Sequence, residues 1–331
     1  MAITAALPLH GGNLAAAEAR WGIPEAGWLD LSTGINPWPY PIPRLAGRCW
    51  RRLPDAAREQ ALIAAARRHW SVPEGVEVVP APGTQALIQA LPRLLPSGSV
   101  AIVSPTYGEH ARAWSAAGHD VTEVDGLDSL TTAQAALVVN PNNPDGRTHP
   151  PQALLDLAAR MAAKGGFLVV DEAFGDAHPE LSLAGRITPG LVVLRSFGKF
   201  FGLAGIRLGF ALAEPGLAQR LGAMMGPWAV SGPALEIGIA ALDDEAWGIA
   251  TRARLHAASA RLAVLLQNAG LEVVGGTTLF QLACHPDSAV LYDRLGRAGI
   301  LVRAFAARPD WLRFGLPGSK RDEWRLRNAL G

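Results

Sequence analysis

An α/β fold, with a mostly parallel sheet lying between helices and a smaller α/β domain attached, is predicted by two observations. Short runs rich in Val, Ile and Leu alternate with helical patterns, and each run is followed at once by polar or aromatic residues. Val100-Ala101-Ile102-Val103 leads into Ser104-Pro105-Thr106-Tyr107, Ala135-Ala136-Leu137-Val138-Val139 into Asn140-Pro141-Asn142-Asn143-Pro144, and Phe167-Leu168-Val169-Val170 into Asp171-Glu172-Ala173-Phe174. Runs apolar at every position belong to strands buried on both faces, as parallel strands are. A chain of 331 residues, 49% hydrophobic and 18% charged, can fill a large core.

Charge and composition exclude several classes. The formal net charge is +1 and the Arg residues are scattered among acidic ones, so no basic stripe for nucleic acid is expected. Cys49 and Cys284 are the only cysteines and stand far apart, which argues against a disulfide framework. The N-terminus lacks a basic segment followed by an apolar one, and nowhere do about 18 apolar residues run together. A cytoplasmic protein that does not enter a membrane is therefore expected.

Along the chain, residues 1–40 show little sustained periodicity and read as an extended arm. The arm carries His10-Gly11-Gly12-Asn13 and, after the strand-like Trp28-Leu29-Asp30-Leu31, Ser32-Thr33-Gly34-Ile35-Asn36-Pro37. Both segments could be ordinary turns, or could expose backbone N–H groups to an anion with His10 and Asn13 adding donors. Residues 56–70 have helical spacing, and Val76-Glu77-Val78-Val79 reads as a strand. In Ala81-Pro82-Gly83-Thr84-Gln85-Ala86-Leu87 a Gly and a polar pair open an apolar helix. Either Thr84 caps that helix or its free N–H groups meet a phosphate. Farther on, 245–269 reads as a long helix, with strand patterns at 271–274, 279–282 and 300–303.

Function concentrates in 196–207, Ser-Phe-Gly-Lys-Phe-Phe-Gly-Leu-Ala-Gly-Ile-Arg, which follows the apolar run Leu191-Val192-Val193-Leu194. An ammonium is rarely placed between a strand end and an apolar Gly-rich segment without a task, so Lys199 is a candidate for imine chemistry. Ser196 and Arg207 could hold a phosphate beside it. Ligands of open α/β sheets bind past the strands' C-terminal ends, where Tyr107, Asn143 and Asp171 also fall.

With Asn142-Asn143-Pro144, Asp171-Glu172-Ala173 and Ser196-x-x-Lys199 in this order, the sequence resembles the class I/II aminotransferase superfamily, pyridoxal phosphate (PLP) enzymes of fold type I, over nearly its whole length. The resemblance implies that Lys199 carries PLP as a Schiff base and that Gly83, Thr84, Gln85, Ser196 and Arg207 bind its phosphate. It further implies that Asp171 faces the ring nitrogen, Asn143 the ring oxygen and Tyr107 the ring face. It implies a homodimer with active sites at its interface, and an arm (1–40), a large PLP domain (41–244) and a small C-terminal domain (245–331). Arg313 stands where the superfamily places its arginine for the substrate α-carboxylate.

Within the superfamily, His10-Gly11-Gly12-Asn13, Gly34-Ile35-Asn36-Pro37, Asp171-Glu172-Ala173-Phe174 and Pro227-Trp228-Ala229-Val230 resemble the threonine-phosphate decarboxylases of cobalamin biosynthesis, relatives of histidinol-phosphate aminotransferase. That likeness implies a phosphorylated amino acid as substrate, with Arg303 as a second anion-binding arginine beside the arm residues His10, Gly11, Asn13, Gly34 and Asn36. It leaves decarboxylation and transamination open, since both use the same residues. A PLP-binding module without turnover is disfavoured because Lys199 and Asp171 are kept. A partnership with the next enzyme of corrinoid assembly is also compatible. Three positions depart from the superfamily: Leu53 where relatives often have a Tyr for the cofactor phosphate across the dimer, Phe174 for Tyr, and Asp145 for Thr. No metal-ligand spacing joins the eight His residues to Cys or carboxylates, and no Gly-rich nucleotide loop follows a strand.

Overall fold

The structure, a computed structural model, describes residues 10–331. Strands in chain order are β1 (Leu29–Asp30), β2 (Glu77–Ala81), β3 (Ser99–Val103), β4 (Asp120–Val124), β5 (Ala135–Val139), β6 (Phe167–Glu172) and β7 (Leu191–Ser196). They continue with β8 (Gly209–Ala213), β9 (Glu272–Thr277), β10 (Phe280–Cys284), β11 (Ile300–Leu301), β12 (Arg303–Ala304) and β13 (Trp311–Gly315). The chain divides into two compact units. The larger comprises Pro39–Asn143 and Arg147–Ile249; the smaller takes the described residues up to Trp38, Pro144–Gly146 and Ala250–Gly331.

The larger unit is built on one seven-stranded sheet in the order β2-β8-β7-β6-β5-β3-β4. From β4 across to β7 every pairing is parallel, while β8 runs antiparallel to both β7 and β2. Every residue of β5, β6, β7 and β8 is buried, which is why these strands read as unbroken apolar runs; the edge strand β4 is half exposed and carries Asp120, Thr122 and Glu123. Leu137, Val169, Val192 and Leu194 pack with Leu87 and Ile88 of the helix Thr84–Ala90 and with Trp114 into one core. Register sets Val139 beside Asp171 and Asp171 beside Leu194, so the ends of β5, β6 and β7 are level.

The smaller unit carries the antiparallel sheet β12-β13-β10-β9 and the parallel pair β1-β11. Phe280, Leu282 and Phe314 of its sheet are buried with Leu295 and Leu326 of the helices Ser288–Arg297 and Lys320–Leu330.

Several local expectations change. The arm is not extended throughout: Leu14–Trp21 is a helix, capped by Asn13, whose Oδ1 accepts from the Ala16 N–H at 3.0 Å. Its apolar period is short and Ala-rich, and the contact that fixes it comes from far along the chain, where Asp293 accepts from Trp21 Nε1 at 2.9 Å. The pattern at 300–303 divides into β11 and β12, which join different sheets. Strands β4, β8 and β13 add pairings with no counterpart in the sequence reading. Among the described residues, no helix is long and apolar enough to cross a membrane and no cluster of His, Cys, Asp or Glu could hold a metal.

Candidate active site

Parallel strands place their C-terminal ends on one edge, and the chain reverses its lateral direction between β3 and β5, the usual position of a binding crevice. Tyr107 follows β3, Asn143 follows β5, Asp171 is the penultimate residue of β6, and Ser196 ends β7. The short helix Phe197–Phe200 then presents Lys199. A cavity of about 170 Å³ lies there, lined by every residue expected at the cofactor except Gly83: Thr84, Gln85, Tyr107, Asn143, Asp171, Ser196, Lys199 and Arg207. Phe174 also lines it, its ring centre 5.9 Å from Lys199 Nζ.

Gly83 packs against the guanidinium of Arg207, one of the lining residues. At φ 84° and ψ 156° it adopts a backbone conformation open essentially to glycine, and a Cβ there would lie 2.5 Å from Arg207 Nη2. The Thr84 cap is not formed. Gly83 is the N-cap and no side chain bonds the first N–H groups of Thr84–Ala90. A guanidinium packed on a glycine beside an uncapped helix start suits a phosphate by charge and by donor inventory.

Asp171, 3% exposed, accepts from the Ala173 N–H at 2.9 Å through Oδ1 and from His110 Nε2 at 2.8 Å through Oδ2. A carboxylate only accepts, so Nε2 of the fully buried His110 carries a proton. The sequence reading missed His110, because a lone His on a helix face is ordinarily a core residue and its partner lies 61 positions away. Tyr107 donates to Gln85 Oε1 at 3.3 Å. Burial, reinforced by the charges of Glu109 and Asp171, pushes its phenol up to about 12, so the ring facing the cavity stays neutral.

Behind the strand ends lies a second group the sequence did not reveal. Glu172 and Arg195, register partners on β6 and β7, form a buried ion pair at 2.6 Å, and Arg195 also pairs with Asp176. Glu172 accepts from Ser182 Oγ and the Leu183 N–H, and Asp176 from Trp70 Nε1. Alternation along the strands puts this network on the sheet face opposite Asp171 and Ser196.

In the smaller unit, His10, Gly11, Asn13, Ser32, Tyr292 and Arg303 line one cleft. The strap at 10–13 is latched: Gly12 N–H donates to Ser32 Oγ at 2.7 Å, and Ser32 Oγ donates to Asp30 Oδ1 at 2.6 Å. A Cβ at position 11 would run into the Ser32 carbonyl, so glycine permits the close approach. Arg303 of β12 pairs in register with Arg313 of β13. Arg313 is buried over the Phe280 ring, centre 4.9 Å away, and donates to the Ser32 carbonyl at 2.8 Å. Burial, then the like charge of Arg303, pushes Arg313 down to about 9 against the pull of Asp30; burial also lowers Arg303. Two desolvated guanidinium groups on adjacent strands favour an anionic ligand. Gly34 and Asn36 are buried but do not line this cleft, Asn36 Oδ1 accepting from the Trp38 N–H at 2.9 Å.

The family model for aminotransferase class I and II matches residues 42–327. The chain belongs to that family. As an aminotransferase class I and II member it is similar to the threonine-phosphate decarboxylase of Sinorhizobium sp, 48% identical over 326 residues that make up 97% of each chain. It is as similar to the threonine-phosphate decarboxylase of Pseudomonas aeruginosa, 48% identical over 325 residues, 97% of this chain and 96% of that one. Among solved structures, histidinol-phosphate aminotransferase from Sinorhizobium meliloti in complex with pyridoxal-5'-phosphate matches with a TM-score of 0.85 at 21% identity, covering 99% of this chain and 97% of that one. That likeness shows the fold, and the class I and II family carries the α/β architecture expected from the strand pattern.

Proposed function

We infer that this chain is a PLP-dependent carboxy-lyase that decarboxylates L-threonine O-3-phosphate to (R)-1-aminopropan-2-yl phosphate and CO2. The observation that carries this reading is the 48% identity, end to end, with two threonine-phosphate decarboxylases. The residues of the larger unit suit PLP: a phosphate cradle at Gly83, Thr84, Gln85, Ser196 and Arg207, an anionic Asp171, a donor at Asn143 and the neutral face of Tyr107. Bound there, PLP supplies a ring that accepts the electrons left when the Cα–carboxylate bond breaks.

The chain's own residues supply the rest. His110 and the Ala173 N–H hold the Asp171 carboxylate in place, oriented to meet the ring nitrogen of PLP when that group is bound. Lys199 gives its Nζ proton to Cα as general acid once CO2 has left. Arg313 takes the substrate carboxylate, and His10, Asn13 and Arg303 take its phosphate, with Gly11, Gly34 and Asn36 shaping the strap around it. Remote anion binding of this kind can fix which bond at Cα stands ready to break.

The decisive experiment mixes purified holoenzyme with L-threonine O-3-phosphate and no keto acid and follows CO2. Sustained release is expected. Conversion of the cofactor to pyridoxamine phosphate without CO2 would instead make the chain a transaminase for a phosphorylated amine, and no change of either kind would leave a PLP-binding module. Gly83→Ala is expected to weaken PLP binding about tenfold, because it strains a glycine-only conformation at a cost of about 1–3 kcal/mol and displaces Arg207. Titration of the apoenzyme by fluorescence measures this, and an unchanged affinity would remove Gly83 from the cradle.

The reading includes a homodimer, placed in the cytoplasm, that supplies the aminopropanol linker of cobalamin to the next corrinoid-assembly enzyme. Its two cysteines are free, as suits a reducing compartment. Trp50 and Leu53, each 67% exposed, and Trp228, 56% exposed, offer the larger unit an apolar surface, and the Cys49 carbonyl packs so closely on Gly232 that no Cβ fits there. A Trp50→Glu, Trp228→Glu double variant is expected to elute as monomer on size exclusion with light scattering; a dimer of unchanged mass would place the interface elsewhere.

A further inference from the structure

The cleft that holds His10, Asn13 and Arg303 contains two more polar side chains: Ser32, whose hydroxyl is taken up by Gly12 and Asp30, and Tyr292 of the helix Ser288–Arg297. Tyr292 is 3% exposed. Its ring is fixed edge-on to Trp21 at 5.3 Å, and the Arg20 guanidinium lies 5.6 Å from its centre. The helices carrying these groups are tied together by the bond from Trp21 Nε1 to Asp293, so the ring has little freedom to leave. Among the described residues no protein group is hydrogen-bonded to its hydroxyl, and the side chain lines the cleft, where a ligand can reach it.

The missing partner can be assigned a chemistry. Burial pushes the Tyr292 phenol up while the charges of Arg20 and Arg303 pull it down; the balance leaves it a protonated donor. The group across the cleft, Arg303, has only donors. Between them fits an acceptor with several oxygens and negative charge. A phosphoryl group meets that requirement better than a carboxylate, because its three terminal oxygens can serve Tyr292, Arg303 and the strap separately.

We propose that the Tyr292 hydroxyl donates a hydrogen bond to the phosphoryl group of the substrate and helps select phosphorylated over unphosphorylated amino acids. This rests on the function proposed above. An unphosphorylated amino acid would offer the Tyr292 hydroxyl no phosphoryl oxygen, and sites built to hydrogen-bond a group reject ligands that lack it.

Tyr292→Phe keeps the ring and its packing and removes only the hydroxyl. In the PLP-loaded variant, KM for L-threonine O-3-phosphate should rise about ten- to a hundredfold, the worth of one hydrogen bond to a charged group, while kcat stays within about twofold and the cofactor absorbance is unchanged. Inorganic phosphate, titrated by calorimetry into both holoenzymes, should bind the variant more weakly by a similar factor. Equal phosphate affinity in the two proteins overturns the proposal, as does a loss confined to kcat. The calorimetric arm is independent of turnover: wild-type protein that binds phosphate through Tyr292 but releases no CO2 would sink the decarboxylase reading and leave this one standing.

Discussion

Lys199→Ala will stop CO2 release from L-threonine O-3-phosphate, lowering kcat by at least about a thousandfold, within the range attributed to a positioned general acid plus loss of the covalent anchor. The reason is the inventory of the cavity. Of the other titratable side chains that line it, Asp171 is committed to His110 and Ala173, Tyr107 is pushed up to about 12, and Arg207 does not give up its proton. None can hand a proton to Cα at neutral pH. Lys199→Arg is expected to be as inactive, for the same reason as Arg207, although it keeps the positive charge. The variant should also lose PLP on gel filtration, where wild-type protein keeps it. A Lys199→Ala protein that retains turnover within tenfold of wild type would remove the lysine from the chemistry.

Arg195→Met should cost about 3–5 kcal/mol of stability, the penalty for breaking a buried ion pair from one side, and lower the Tm by about 10 °C. Met fills much of the space but removes the guanidinium from Glu172 and Asp176 in a site that is 1–3% exposed. The pH dependence gives the effect a signature. In the wild type, burial pushes Asp176 up, but the charge of Arg195 with His69 and Trp70 outweighs it and holds the carboxyl far below the usual range. A depressed folded value means that this stabilisation is complete above the unfolded value, about 4, and is lost as the pH falls below it. In the variant the sign reverses for Asp176, while Glu172, which burial already pushes up in the wild type, is raised further, and protonation relieves the penalty on both. The stability gap between the two proteins, read from urea unfolding at pH 8, 6 and 4.5, should therefore be widest at pH 8 and narrow toward acid. A gap that does not change with pH would mean that lost packing rather than orphaned charge accounts for the defect. Turnover should fall as well, because Glu172 and Arg195 flank Asp171 and Ser196 on the two strands that carry them.

The sequence by itself determined the parallel strands and the residues at their ends. Each of β3, β5, β6 and β7 is encoded locally, by an apolar run long enough to cross the sheet, so the residue that emerges at the C-terminal edge can be counted off: Tyr107, Asn143, Asp171, Ser196 and then Lys199. Backbone periodicity fixes these positions without reference to any distant partner. Tertiary structure alone decided what those residues meet. His110 joins Asp171, Arg195 joins Glu172 and Asp176, Ser32 latches the strap at Gly12 and supports Arg313, and Tyr292 lines one cleft with Arg303. The same holds for the helix Leu14–Trp21, stabilised by a tryptophan bonded to Asp293 across 272 positions, and for β8, whose antiparallel insertion between β2 and β7 brings Gly209 against Thr84. Such partners are selected by burial, because a polar group removed from water must find its complement wherever the packed chain supplies one, and no local pattern records where that will be.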